Sequence, residues 1–151
     1  MNRIKQTMLG SLLALLTVGG AVQADDAAFT FTGKIGPMTG EQIYDHICTG
    51  CHMPGGQGAV GAGFYPKLAG NKKFVSWEYV AITVINGRNG MPPFGLPMAA
   101  AQQTRAVQLS DAQVADVVNY VRSHFDNHYR PTVTDKQVAA LPHPSSVAMP
   151  F

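Results

Sequence analysis

The residues best suited to chemistry are Cys48, Cys51 and His52, in the run Cys48-Thr49-Gly50-Cys51-His52. Two thiols three positions apart stand about one helical turn from each other, and an imidazole follows the second directly. Two cysteines in an exported chain ordinarily form a disulfide, but only two residues separate these and a histidine comes next. A redox dithiol wants a strand leading into a helix, which residues 24–41 do not offer. A structural zinc site needs four ligands, and no second Cys/His pair appears at suitable spacing. Cys-x-x-Cys-His is the signature of covalent haem attachment, with two thioethers to the porphyrin and one nitrogen to the iron.

As an iron ligand His52 must be a neutral imidazole, and its second nitrogen wants an acceptor to fix the ring. The carbonyl of Pro66, just past a glycine-rich loop, is the expected partner. The group on the opposite side of the iron decides the chemistry. A second strong ligand makes an electron-transfer centre, whereas an open position allows gas binding or peroxide chemistry. Met53, Met91, Met98, His124, His128 and His143 are the candidates beyond the attachment motif. Met53 adjoins His52 and falls on the wrong side. His124 and His128 lie at and beyond the end of a helix, where polar residues face solvent, and His143 is in the tail. Met91 stands in Gly90-Met91-Pro92-Pro93-Phe94, where two prolines fix φ and reduce the entropy lost in holding a thioether at the iron. Met91 is the expected ligand and Met98 the alternative. The competing role for Met91 is core filling, which methionine often serves. A thioether favours Fe(II), so a His/Met pair raises the reduction potential relative to two histidines.

These residues need elements to hold them. Thr39 and Gln42 form a capping box that starts a helix; Ile43, Tyr44 and Ile47 recur at helical spacing and lead into Cys48. Residues 54–63 are rich in glycine, which lets a backbone pass close to a flat cofactor, and Phe64, Tyr65, Pro66 and Leu68 anchor the far end. Ser76 caps a second helix, with Glu78 in its first turn, and Asn86-Gly87 ends it. Residues 90–97 are a proline-rich loop. Ser110 and Gln113 cap a third helix running to about Phe125, with Val114, Val117, Val118 and Val121 as its buried stripe. Thr134 and Gln137 repeat the box for a short helix to Leu141. The last ten residues, with three prolines, are expected to hang loose. The fold class is all-α with long loops.

Arg3 and Lys5 precede an apolar run from Met8 to Val18, and Ala21-Val22-Gln23-Ala24 offers small residues for cleavage, so residues 1–24 read as a signal peptide. The run is shorter than the roughly 18 apolar residues of a spanning segment, so no stable membrane span is expected after cleavage; an uncleaved anchor is the competing reading. Arg3 and Lys5 also account for the whole formal charge of +2, because all 9 acidic residues lie beyond Ala24. A neutral mature chain without basic clusters gives no reason to expect nucleic acid. Residues 25–151 suffice for one small domain. The division is signal peptide 1–24, irregular leader 25–37, domain 38–126 and C-terminal extension 127–151.

Cys48-x-x-Cys51-His52, then Pro66-Lys67-Leu68-Ala69-Gly70, then Gly90-Met91-Pro92 resemble the class I c-type cytochromes, over residues 38–126. Tyr65-Pro66-x-Leu68-Ala69-Gly70-Asn71, Asn86-Gly87-Arg88-x-Gly90-Met91-Pro92 and residues 117–125 are similar to bacterial cytochromes associated with periplasmic dehydrogenases. The resemblance implies a small helical domain wrapped around one covalent haem c, with Gly40, Tyr44 and Tyr120 where two helices cross. It implies that Pro66 orients the haem histidine and that Arg88 and Trp77 contact the propionates. Periplasmic electron transfer is the expected function, from a dehydrogenase or quinol oxidoreductase to a terminal oxidase or another cytochrome. The alternatives are a haem subunit of an alcohol- or aldehyde-type dehydrogenase complex, or a peroxidase-like or gas-binding protein if Met91 does not ligate.

Overall fold

The structure is a computed structural model that describes residues 33–61, 63–130 and 132–145. The expected signal peptide, the expected leader up to residue 32 and the tail from residue 146 lie outside the described residues.

The first helical stretch starts where its capping box directs. Thr39 Oγ1 accepts from Gln42 N, and Gln42 Oε1 accepts from Thr39 N at 2.9 Å. Helix α1 (Gly40–Ile43) passes into a wider π turn, Tyr44–Cys48, and then into α2 (Thr49–His52). A regular helix straight into Cys48 was the expectation; the π turn inserts one residue and rotates α2 by about 100° relative to an uninterrupted helix. Ile43 and Tyr44 face the core, and Cys51, beyond the turn, is exposed. Thr49 Oγ1 donates to the Asp45 carbonyl at 2.6 Å, tying the widened turn to α2.

The glycine-rich loop contains a short antiparallel ladder, β1 (Ala59–Val60) against β2 (Phe64–Tyr65). A 3-10 turn, Lys72–Val75, leads to α3 (Trp77–Asn86), whose Ser76 cap accepts from Tyr79 N at 3.1 Å. Helix α4 (Met98–Thr104) was not expected from the sequence. It has no side-chain cap, because Pro97 precedes it, and it rests on three successive alanines, good helix formers. Helix α5 (Asp111–Ser123) carries the Ser110–Gln113 capping box, and α6 (Asp135–Ala139) the Thr134–Gln137 box.

The core is built on α5. Val114, Val117, Val118 and Val121 pack with Ile43 and Tyr44, with Ala81 and Ile85 of α3, and with Val138 of α6. Burying a side chain such as Ile43 or Val118 contributes about 1.5–3 kcal/mol. Helices α1 and α5 approach closely at Gly40, where any Cβ would run into the Asp116 carbonyl. Tyr44 continues the contact, its ring centroid 5.6 Å from Tyr120 and 4.7 Å from Phe125. Arg122 is 2 % exposed, its Nε donating to the Phe74 carbonyl at 3.0 Å, and burial lowers its pKa.

The segments flanking the expected domain also join it. Gln108 N donates to the Gly33 carbonyl, and Gln113 Nε2 to that of Gly36. Asn119 clasps Val133 in both directions, donating to its carbonyl at 2.8 Å and accepting from its N–H at 2.7 Å. Residues 142 and 143, expected to be loose, are held. The Pro142 carbonyl accepts from Asn86 Nδ2 at 3.1 Å, and His143 Nε2 lies 2.9 Å from Asp111 Oδ1. Among the described residues, no helix is long and apolar enough to cross a membrane.

Candidate functional site

Helix α2 delivers Cys51 and His52, with Cys48 one turn earlier at the end of the π turn. Cys48 and Cys51 form no disulfide with each other. Burial, and after it the charge of Cys51, pushes the Cys48 thiol up to about 12, so it is neutral in the protein chain by itself. The chain leaves α2 through Met53 at φ 65°, ψ 155°, a conformation that costs a non-glycine residue about 1–3 kcal/mol. Two hydrogen bonds offset that strain. The Met53 carbonyl accepts from Tyr44 Oη at 2.7 Å and from Gly56 N at 3.0 Å.

The next loop returns beneath His52. Gly58 N donates to the His52 carbonyl at 3.1 Å, and the Gly56 carbonyl accepts from Leu68 N and Ala69 N. These bonds bring Pro66 to the imidazole, and His52 Nδ1 lies 3.1 Å from the Pro66 carbonyl oxygen. A carbonyl only accepts, so Nδ1 carries the proton and Nε2 is left as the basic nitrogen. His52 is 8 % exposed.

The segment beyond Pro66 is pinned from the end of α5 by a residue that sequence reasoning missed. Asn127 is 1 % exposed. Its Nδ2 donates to the carbonyls of Leu68 and Val121, at 3.0 and 2.8 Å, and its Oδ1 accepts from Asn71 N at 2.9 Å. Gly70 N donates to the Phe125 carbonyl, and Tyr129 Oη to that of Asn71. Only position, six residues beyond a valine stripe, hinted at such a role for Asn127.

Met91 sits at the foot of a two-residue hairpin. Arg88 N donates to the Met91 carbonyl and Met91 N to that of Arg88, at 3.1 and 2.9 Å. Asn89 and Gly90 between them both have positive φ, as a type I′ turn requires, and Asn-Gly is the pair that adopts it most readily. Gly87 stands at φ 68°, ψ 170°, where a Cβ would strike the Met91 carbonyl and the Pro92–Pro93 backbone. After the two prolines, Phe94 N and Gly95 N donate to the carbonyls of Val84 and Ile85, at 3.0 and 2.9 Å, which α3 leaves unpaired at its C-terminus. The Met91 segment is thus continuous with the end of a buried helix.

The other sequence candidates have different surroundings. Met98 starts α4 and lines a groove with Lys34, Leu96, Gln108 and Asp111. The His124 ring stacks on Tyr120 at 4.1 Å and its Nδ1 lies 2.9 Å from the Tyr120 carbonyl. His128 is exposed. The Arg88 guanidinium lies over the Tyr79 ring at 5.9 Å, with Nη1 3.4 Å from its hydroxyl. Trp77 is half-buried at the start of α3.

The donor set fits covalent haem. It offers two unpaired thiols one turn apart and an imidazole held by Nδ1 with Nε2 available; among the described residues no group of three or more His, Cys, Asp or Glu could hold a metal ion instead. The profile of the family Cytochrome c matches residues 37–125, and the chain belongs to that family. It is an electron-carrying protein with a small all-α fold, and its cofactor is covalent haem c.

Among curated proteins, the chain is 31% identical over 136 residues to the gluconate 2-dehydrogenase cytochrome c subunit of Pantoea cypripedii, covering 81% of the chain and 30% of that protein. It is 32% identical over 112 residues to the cytochrome c subunit of alcohol dehydrogenase (quinone) from Gluconacetobacter polyoxogenes, covering 73% and 24% respectively. It is 34% identical over 113 residues to the fructose dehydrogenase cytochrome subunit of Gluconobacter japonicus, covering 67% and 22%. The chain therefore spans less than a third of the length of these relatives.

Proposed function

We propose that the chain carries one haem, attached through Cys48 and Cys51 and ligated by His52 and Met91, and that it takes electrons from a dehydrogenase in the periplasm. Bound haem supplies a one-electron Fe(III)/Fe(II) couple, and everything else is the work of the chain. Pro66 holds the imidazole in one tautomer and orientation through Nδ1. Met91 offers a neutral sulfur, which stabilises Fe(II) over Fe(III). Arg88, on the Met91 hairpin, and Trp77, at the start of α3, are the residues assigned to the propionates.

The observation that carries this reading is the construction of the Met91 segment. Its type I′ hairpin, its two prolines and its hydrogen bonds to the end of α3 hold one methionine in a fixed place, as a weak ligand needs. Oxidised and reduced spectra of the holoprotein and of Met91→Ala provide the test. The wild type is expected to be six-coordinate in both states and not to bind carbon monoxide rapidly when reduced. Unchanged coordination in Met91→Ala refutes the ligand assignment, and rapid carbon monoxide binding by the wild type favours an open iron.

The dehydrogenase partner is supported by the relatives, cytochrome subunits of gluconate, alcohol and fructose dehydrogenases. A second reading comes from the same names, in which the chain is a held subunit of such a complex; co-purification from the native host separates it from a free carrier. Downstream, a terminal oxidase or another cytochrome takes the electron. The neutral chain beyond residue 24 predicts weak dependence of partner reduction on ionic strength. A steep salt dependence counts against docking of this kind.

A further inference from the structure

Gln108 is a polar side chain that helical periodicity does not account for. It precedes the Ser110 cap of α5, in an irregular segment, and is 4 % exposed. Its carboxamide Oε1 accepts from Leu96 N at 2.5 Å, while Nε2 donates to the carbonyl of Val107 at 2.8 Å, to that of Ala106 at 3.3 Å and toward that of Pro93 at 3.5 Å. The orientation of the amide is set by its partners. Flipping it would set its N–H groups against the Leu96 N–H and its oxygen against carbonyl oxygens.

These bonds close the far side of the Met91 segment. One side is fastened to α3 through Phe94 N and Gly95 N. The other is fastened to residues 106–109, where Leu109 N donates to the Phe94 carbonyl at 2.9 Å and Gln108 holds Leu96 and reaches Pro93. Leu96 is itself buried, so without the carboxamide its N–H would lack a partner away from water. The cheapest relief is for residues 93–96 to move toward solvent. Pro92 and Pro93 are stiff, so that displacement passes to Met91 rather than being absorbed between them.

We propose that Gln108 is a positioning residue for the axial ligand, its buried carboxamide fixing residues 93–96 so that the Met91 thioether stays at the iron. The proposal rests on Met91 as ligand and extends it to a residue that touches neither haem nor iron. Partners that hold a metal ligand in place typically change metal-site affinity or activity by about 10- to 100-fold when removed.

The test uses the holoprotein with Gln108→Met, which keeps volume and removes the hydrogen bonds. Val138→Ala is the control for general destabilisation, since Val138 is buried on α6. The long-wavelength thioether-to-Fe(III) charge-transfer band is followed on heating alongside far-ultraviolet circular dichroism, and carbon monoxide affinity is measured for the reduced protein. In Gln108→Met the band is expected to disappear well before the helices unfold, and carbon monoxide to bind about 10- to 100-fold more tightly. In Val138→Ala the gap between the two transitions stays as in the wild type. An unchanged gap and unchanged carbon monoxide affinity in Gln108→Met overturn the proposal. Survival of the band in Met91→Ala is a different failure, and it removes the ligand assignment itself. Amide exchange in the wild type needs no variant: Leu96 N–H should be as protected as the buried amides of α5, and exchange at the rate of an exposed loop also overturns the proposal.

Discussion

Replacing Gly87 by alanine tests whether backbone geometry, rather than the methionine alone, creates the ligand site. Gly87 lies at φ 68°, ψ 170°, a region occupied almost only by glycine. Holding alanine there costs about 1–3 kcal/mol. The new Cβ would also meet the Met91 carbonyl, with Pro93 N at 2.8 Å and Pro92 C at 2.9 Å, and overpacking of this kind adds about 1–3 kcal/mol. The two costs are relieved together if residues 91–93 retreat, so the protein trades ligation for strain. The expected penalty is about 2–6 kcal/mol if the segment stays in place, a large part of the total stability of a small domain, about 5–15 kcal/mol. The assay pairs thermal unfolding by circular dichroism with the thioether-to-iron charge-transfer band. Gly87→Ala should lose the band at temperatures where the helices persist, or unfold about 10 °C or more below the wild type. Gly36→Ala is the control, since nothing lies within 4 Å of a Cβ built there. A Gly87→Ala protein with the wild-type band and a midpoint within a degree or two would refute the reasoning.

Three further outcomes are expected. Gly40→Ala should destabilise by about 1–3 kcal/mol, because its Cβ must displace the Asp116 carbonyl where α1 crosses α5; an unchanged denaturation midpoint would sink the idea. Asn127→Ala removes three hydrogen bonds to buried backbone and should cost about 2–4 kcal/mol, with faster amide exchange at Asn71. Protection at Asn71 equal to the wild type argues against that role. Burial pushes the Tyr44 phenol from 10.0 up to about 12. The folded protein therefore keeps this proton where the unfolded chain has lost it, so the contribution is complete below pH 10 and is lost as pH rises from 10 through about 12. Urea titrations should show stability falling over that window by at most about 1 kcal/mol per pH unit more in the wild type than in Tyr44→Phe; equal slopes contradict it.

The residues that could be read without a fold are those whose chemistry is local. Attachment of haem needs two thiols and an imidazole within five consecutive positions. The capping boxes at Thr39, Ser110 and Thr134 each close over three residues, so the starts of α1, α5 and α6 were legible with them. The valine stripe of α5 repeats at the period of the helix itself, and with it came the all-α class. Helix α4 was not legible, because Pro97 replaces the polar cap that would have marked its start. The β1–β2 ladder was hidden for a similar reason, since glycines carry no alternating pattern of their own.

Only the tertiary structure decided where buried polar groups find partners. Gln108 and Asn127 look like surface residues in a linear reading, because a polar side chain is exposed by default. Each is instead enclosed by backbone groups that include another segment's, Leu96 N–H and the Pro93 carbonyl in one case and the Leu68 carbonyl and Asn71 N–H in the other. Hydrogen bonds of that kind depend on which loops the packed helices bring together, and no spacing within a single segment encodes them. The five residues from Cys48 to His52 determine that haem is attached. The loops around Pro66 and Met91, closed by amides of other segments, hold the two proposed ligands in place only once the helices have packed.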